Sequence, residues 1–287
     1  RRTGGGDGDA GPSTEESPVR SMTLSLGLAV AFALIAATPA AADIVFSTHN
    51  TIHFDGLKVH HGDVVDYDAA AGSLSLLLDE ETLGGKNVDA LHLLADGSLI
   101  FSAGQKIRLD GVAYEPADLV RYDPLAGTAS LWFDGGLFAR KADIDAVHVN
   151  DDGSFLLSTH DKGELGGLKF DRGDIVQFNP ATGAASILLD GSAFGGNGNV
   201  DAIHKLNDDE LLISTHANST LYGMAFGGGD VICVNLAMQA VSMYLPESTF
   251  GNGAANIDAL AFSPSIPEPA TLALLALGAL ACRRRRV

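Results

Sequence analysis

Aspartate, histidine and serine recur at fixed intervals along this chain, and they are the residue types from which metal sites and nucleophile relays are built. Asp89, Asp145, Asp201 and Asp258 are spaced by 56, 56 and 57 residues. Asp63, Asp118, Asp174 and Asp230 are spaced by 55, 56 and 56, and Ser47, Ser102, Ser158 and Ser214 keep the same steps. His49, His160 and His216 follow two residues after three of the serines, with Gly104 in the remaining copy. His92, His148 and His204 stand three residues after the first aspartate set, with Ala261 in the last. Carboxylates gathered by a repeat would offer the several hard oxygens that Ca²⁺ takes. Carboxylate with imidazole would instead suit Zn²⁺ or a transition metal. Aspartate at a strand entrance can equally be structural, accepting hydrogen bonds from loop N–H groups. The Ser, His and Asp trio invites a catalytic relay. It occurs in three copies without a G-x-S-x-G elbow, so a structural hydrogen-bond network linking the second-strand serines to His92, His148 and His204 is the expectation.

The elements that must position these residues follow from the same period. A recurrence near 56 residues marks a repeat architecture. Each complete copy reads as four short strands, such as DAVHVN, SFLLSTH, DIVQFN and AASILLD, rich in Val, Ile, Leu and Phe and bounded by turn residues. Asp151-Asp152-Gly153 makes a tight turn between the first and second strands, and Asn179-Pro180-Ala181-Thr182-Gly183 another between the third and fourth. The other two connections are long and Gly-rich. In an up-and-down sheet all long loops then share one face, where both aspartate sets and His49, His160 and His216 should lie. The chain is predicted to be all-β, a four-bladed β-propeller with blades at 258–263 plus 43–88, 89–144, 145–200 and 201–257. The lone last strand, beginning at Asp258, would pair beside residues 43–48 and close the ring; an open solenoid would leave it unexplained. The order of strands and turns over residues 43–263 resembles NHL and SMP-30-like propeller repeats. That resemblance implies a first strand lining a central channel and a ligand site on the long-loop face.

The long loops repeat as FDGLKVHHGD, LDGVAYEPAD, LGGLKFDRGD and LYGMAFGGGD. Gly56, Gly111, Gly167 and Gly223 suit turns with positive φ. The varied decoration on this frame, His53, His60, His61, Tyr114, Glu115, Lys169, Arg172 and Tyr222, is what a binding face looks like. His49, His53, His60 and His61 form a local histidine cluster without regular ligand spacing.

Both ends differ in composition from the repeats. Residues 1–21 are rich in Gly, Asp and Ser and read as disordered or as read-through ahead of Met22. Residues 22–42 have an apolar run ending in Pro39 and Ala40-Ala41-Ala42, the layout of a secretory signal helix cleaved before Asp43. Residues 264–287 pass from Pro267-Glu268-Pro269 through an apolar stretch to Arg283, Arg284, Arg285 and Arg286. That order is similar to the PEP-CTERM sorting signal. The resemblance implies recognition and cleavage by an exosortase-type enzyme, a transient anchor of the apolar helix in the inner membrane, and delivery to the envelope or extracellular matrix. An apolar stretch with its arginines retained on the cytoplasmic side agrees with the positive-inside rule, although Ala270 to Cys282 is short for a span of ~20 residues. An uncleaved tail anchor stays open as the alternative.

The chain has 36 acidic and 18 basic residues, and seven of the basic ones lie in the end segments. Such a body repels nucleic acid and anionic lipid and attracts cations, so no nucleic-acid partner is expected. Cys233 and Cys282 make a poor disulfide pair, because one lies in the tail. The expectation is a non-catalytic binding or structural module acting through its long-loop face on exopolysaccharide, surface proteins or cations. A Ca²⁺-dependent hydrolase or lactonase of SMP-30-like type and a purely structural matrix component are the alternatives.

Overall fold

The computed structural model describes residues 43–262, apart from residues 55, 69–70, 141, 197 and 251–254. The expected leader at 22–42 and the tail at 264–287 lie outside the described residues. The described body is all-β. Four sheets each hold four strands, and every pairing within them is antiparallel. The second sheet runs Val88–Leu93, Leu99–Ala103, Leu119–Asp123, Thr128–Phe133. The third runs Ile144–Val149, Phe155–Thr159, Ile175–Asn179, Ala184–Leu189, and the fourth Val200–Lys205, Glu210–Thr215, Val231–Asn235, Ala240–Leu245. The first sheet is assembled from both ends of the body. Ile257–Phe262 pairs with Ile44–Thr48, which pairs with Val64–Asp68 and then Ser73–Leu78. Val45 faces Ala261 and Ser47 faces Ala259 in that register.

The core lies between sheets. Along each second strand successive side chains point to opposite faces, and both faces are covered. Phe101 therefore packs toward the first sheet while Ile100 packs toward the third. Phe155 and Leu157 go to one neighbour and Leu156 to the other. Every residue of Phe155–Thr159 is buried, which is why these strands read as continuous apolar runs. The innermost strands also pack on one another. Val88–Leu93 and Val200–Lys205 each contact both Ile144–Val149 and Ile257–Phe262.

The long loops are not plain coil. Each contains a hairpin of three-residue strands, such as Ile107–Leu109 with Val112–Tyr114 and Gly163–Leu165 with Leu168–Phe170. Asp110 and Gly111 have φ of 50° and 78°, the two positive values that a tight type I′ hairpin needs. A 3-10 turn follows each fourth strand, at Glu80–Leu83, Gly135–Leu137, Gly191–Ala193 and Glu247–Phe250.

Candidate functional site

A β-bulge sets the site. In each sheet the register between first and second strands skips one residue: Ile144 faces Thr159 and Ala146 faces Ser158, leaving Asp145 without a partner. The same skip isolates Asp89, Asp201 and Asp258. An extra residue in a ladder re-aims its side chain, and here all four carboxylates line one cavity of about 240 Å³. His49, His160 and His216 line it too, each with Nδ1 3.4–3.5 Å from a carboxylate of Asp258, Asp145 and Asp201 respectively. His49 and His216 stand edge to face at 5.3 Å between ring centroids.

The second sheet has no histidine here for a steric reason. A Cβ on Gly104 would lie 2.4 Å from Asp89 Oδ2, so the carboxylate itself fills the place. Asp89 consequently lacks an imidazole partner. Its burial, with the charge of Asp258 adding, pushes its carboxyl up to about 9. Burial also lifts Asp201 and Asp143 to about 7 and raises Asp145 despite the His160 bond. The bond to Asp145 takes His160 up to about 9, and His49 and His216 rise through their bonds to Asp258 and Asp201. Burial therefore favours the protonated form of Asp89, and the neighbouring carboxylates favour protonated His160, His49 and His216.

Sequence reasoning passed over one further set: Asn87, Asp143 and Asn199 line the cavity, and Asn256 holds the corresponding place in the first sheet outside it. Asn87, Asp143, Asn199 and Asn256 each lie two positions before a bulge aspartate. Asn199 donates to Asp145 at 2.7 Å and to Asp201 at 3.0 Å, bridging two sheets. Asn87 donates to Asp89 at 2.6 Å and, closer still, to Asp258. The Oδ1 atoms of all four are buried without a hydrogen-bond partner. Asn199 is only 2% exposed, and a buried orphan oxygen costs about 1–3 kcal/mol unless something satisfies it. The N-x-D spacing was readable in three copies and D-I-D in the fourth. These oxygens, with the bulge carboxylates, are donors that suit a hard cation. Asp89, Asp143 and Asp145, and separately His49, His216 and Asp258, bring ligand atoms within 4.8 Å of one another.

Other expected site residues do not join them. Asp63, Asp118, Asp174 and Asp230 spend both oxygens on backbone N–H groups. Asp174 accepts from Asp171 at 2.8 Å and from Gly191 at 2.7 Å, clipping the long loop to the following 3-10 turn. Asp63, Asp118 and Asp230 do the same with residues three before and seventeen after. The expected histidine cluster is split. His60 and His61 pair with Glu80 at 2.8 and 3.5 Å, away from His49. Tyr114 is buried and cannot be a contact residue of a docking face.

The expected link between His92, His148, His204 and the second-strand serines is replaced by ties between sheets. Ser102 and Ser214 donate to the carbonyls of Ile144 and Ile257 at 2.5 and 2.8 Å. Ser47 and Ser158 are buried with unpartnered hydroxyls. His92 and His148 accept from the backbone N–H of Val149 and Lys205 on the next sheet.

Beyond this body, residues 265–286 match the PEP-CTERM protein-sorting motif. The chain carries an exosortase sorting signal. Such a signal implies export, recognition by an exosortase and anchoring of the signal in the membrane. Among the described residues no helix is long and apolar enough to cross a membrane, and the signal itself lies outside them. No curated protein matches the chain. Among solved structures it is similar to a protein of unknown function from Bacteroides caccae, at 10% identity and a TM-score of 0.39, covering 78% of this chain and 100% of that one. A structural genomics protein of unknown function from Bacteroides thetaiotaomicron matches at 11% identity and a TM-score of 0.35, covering 72% of this chain and 48% of that one. The extracellular domain of BT4673 from B. thetaiotaomicron matches at 10% identity and 0.36, covering 70% of this chain and 30% of that one.

Proposed function

We propose that this is an exported envelope or matrix protein whose body is a four-bladed β-propeller, acting without catalysis by holding a divalent cation, Ca²⁺ by its donor chemistry, in the mouth between the inner strands. Four sheets whose inner strands pack pairwise, with the last strand paired to the first, support the propeller reading. The observation that carries the cation is the set of unpartnered Oδ1 atoms of Asn87, Asp143 and Asn199, residues that line the cavity together with the four bulge carboxylates. Ca²⁺ takes six to eight oxygens, and a site of this kind supplies them from all four sheets at once. Cation binding would tie the sheets together, which is useful to a protein exposed outside the cell.

A thermal melt in EDTA against millimolar CaCl₂ tests this. Free cation at a hundredfold over Kd adds about 2.7 kcal/mol of stability. Asn199→Leu with Asp145→Asn should remove the shift. A melt indifferent to Ca²⁺, Mg²⁺ and Zn²⁺ alike would sink the reading. A Ca²⁺-dependent hydrolase is the second reading, favoured by one asymmetry. Asp143 alone replaces asparagine in its ring and titrates at about 7, where a general base is most effective. Ester or lactone turnover that Asp143→Asn abolishes, with cation affinity kept, would select it.

A further inference from the structure

The far ends of the same inner strands border a second and larger cavity, of about 1130 Å³. His92, His148 and His204 line its inner end. The rings stand edge to face, His92 on His148 and His148 on His204, with centroids 4.9 Å apart in both pairs. Phe262 takes the fourth place, 4.6 Å from His204. Val149 N–H donates to His92 Nδ1 at 3.3 Å and Lys205 N–H donates to His148 Nδ1 at 3.2 Å. A neutral imidazole whose Nδ1 accepts carries its proton on Nε2. His92 and His148 thus offer uncharged N–H donors and no lone pair for a metal. Among the described residues those Nε2–H groups have no acceptor, and His204 Nδ1 is buried without a partner.

The cavity extends outward from there. Trp132, on the outermost strand of the second sheet, and Gln177, on the third strand of the third sheet, both line it. Innermost to outermost strand is three spacings of ~4.8 Å, roughly 14 Å, so the space is an elongated cleft. Trp132 is half-buried, its ring set against Phe155 at 5.3 Å. Asp151, Asp152 and Asp208 are exposed at the rim, where Lys205 is tied to Asp208 at 2.8 Å. The cleft thus has aromatic faces, neutral donors and a negative edge. Concave sites with apolar walls and a few placed polar groups are how small ligands are held.

We propose that this cleft binds a neutral oligosaccharide, its ring faces stacked on Trp132 and Phe262 and its hydroxyls bonded to the histidine N–H groups and to Asp151. Sugars present C–H faces to aromatic rings and hydroxyls to both donors and carboxylates, and the acidic rim turns away uronates. The site lies at the other end of the inner strands from the proposed cation mouth and does not depend on it.

Trp132 is the only tryptophan in the chain, so its emission reports the cleft directly. The full chain would be titrated with cellotetraose, maltotetraose, chitotetraose and tetragalacturonate, with calorimetry in parallel. A saturable emission change and heat are expected with at least one neutral tetrasaccharide and none with tetragalacturonate. Trp132→Leu, read by calorimetry, should weaken binding at least about tenfold, the loss of one aromatic contact. Leu206→Glu, at a rim position 43% exposed, should do the same without disturbing the core, and Asp145→Asn should leave affinity unchanged. No neutral sugar binding at millimolar concentration overturns the proposal. So does binding that survives both cleft variants, binding lost only with Asp145→Asn, or equal binding of tetragalacturonate.

Discussion

Aspartate at repeated positions does two opposite jobs in this protein. Asp174 accepts two backbone N–H groups, one from Asp171 in the long loop and one from Gly191 in the following 3-10 turn. Asp174→Ala leaves both donors stranded beside a buried site, and a cost of about 2–4 kcal/mol follows from two hydrogen bonds to a charged acceptor. Urea denaturation measures it, and any cation-dependent stabilisation should survive. Asp89 is the reverse case. Its carboxyl is held far above the unfolded value, so the fold loses stability through it as pH rises toward about 9. Asp89→Asn keeps an acceptor for Asn87 and removes the charge. The variant should be more stable than the parent by a margin that grows from about pH 4 to pH 9; a variant less stable throughout would show that the carboxylate is needed ionised. The sequence displays both aspartate sets with equal clarity. It hides which set faces backbone N–H groups, because the second donor lies seventeen residues away in a turn that carries no signature.

The strands were legible where they are long enough to bury a pattern. The four strands of each sheet could be read from apolar runs, and the pairing of the last strand with the first from the copy left incomplete at each end. The three-residue hairpins in the long Gly-rich connections gave no strand signal, because three residues give no alternation to detect. Asp110-Gly111 was nonetheless a readable turn signal. The bulges that aim the site carboxylates were hidden, since a skipped register depends on the partner strand. The terminal pairing can be tested as an element. Val45 and Ala261 are register partners, both buried, and partners across antiparallel strands approach to within disulfide reach. Val45→Cys with Ala261→Cys, in a Cys233→Ser background, should oxidise to an intramolecular bond. Closing so long a loop adds up to about 5 kcal/mol by loop entropy. Failure to cross-link in the folded protein would place the last strand elsewhere.

At the scale of the whole molecule the two ends of the inner strands titrate in opposite directions. Burial holds His92 and His204 down to about 4 and His148 lower still. The unfolded chain takes up those protons first, so stability is full above about 6.5 and is lost as pH falls toward 4. At the other end Asp89 sits at about 9, and Asp143 and Asp201 at about 7. There the fold keeps protons that the unfolded chain has released, and stability drains from about pH 4, the unfolded carboxylate range, up to those values. His160, raised to about 9, acts the same way, its stabilisation being lost as pH climbs through that value. Isothermal denaturation from pH 4 to 9.5 in EDTA should therefore stay nearly level to about pH 6.5, where the histidine gain offsets the carboxylate loss, and then fall toward pH 9. A cation in the mouth competes with the acidic-site protons and has no contact with the histidine end. Added Ca²⁺ should raise stability by an amount that grows with pH. His148→Phe, which keeps an aromatic ring between its two neighbours, should remove part of the histidine gain below about pH 6.5 and leave the slope above it unchanged. A profile that His148→Phe leaves unchanged below pH 6.5, or a Ca²⁺ effect equal at pH 5 and pH 9, would separate the stability of this body from the two clusters.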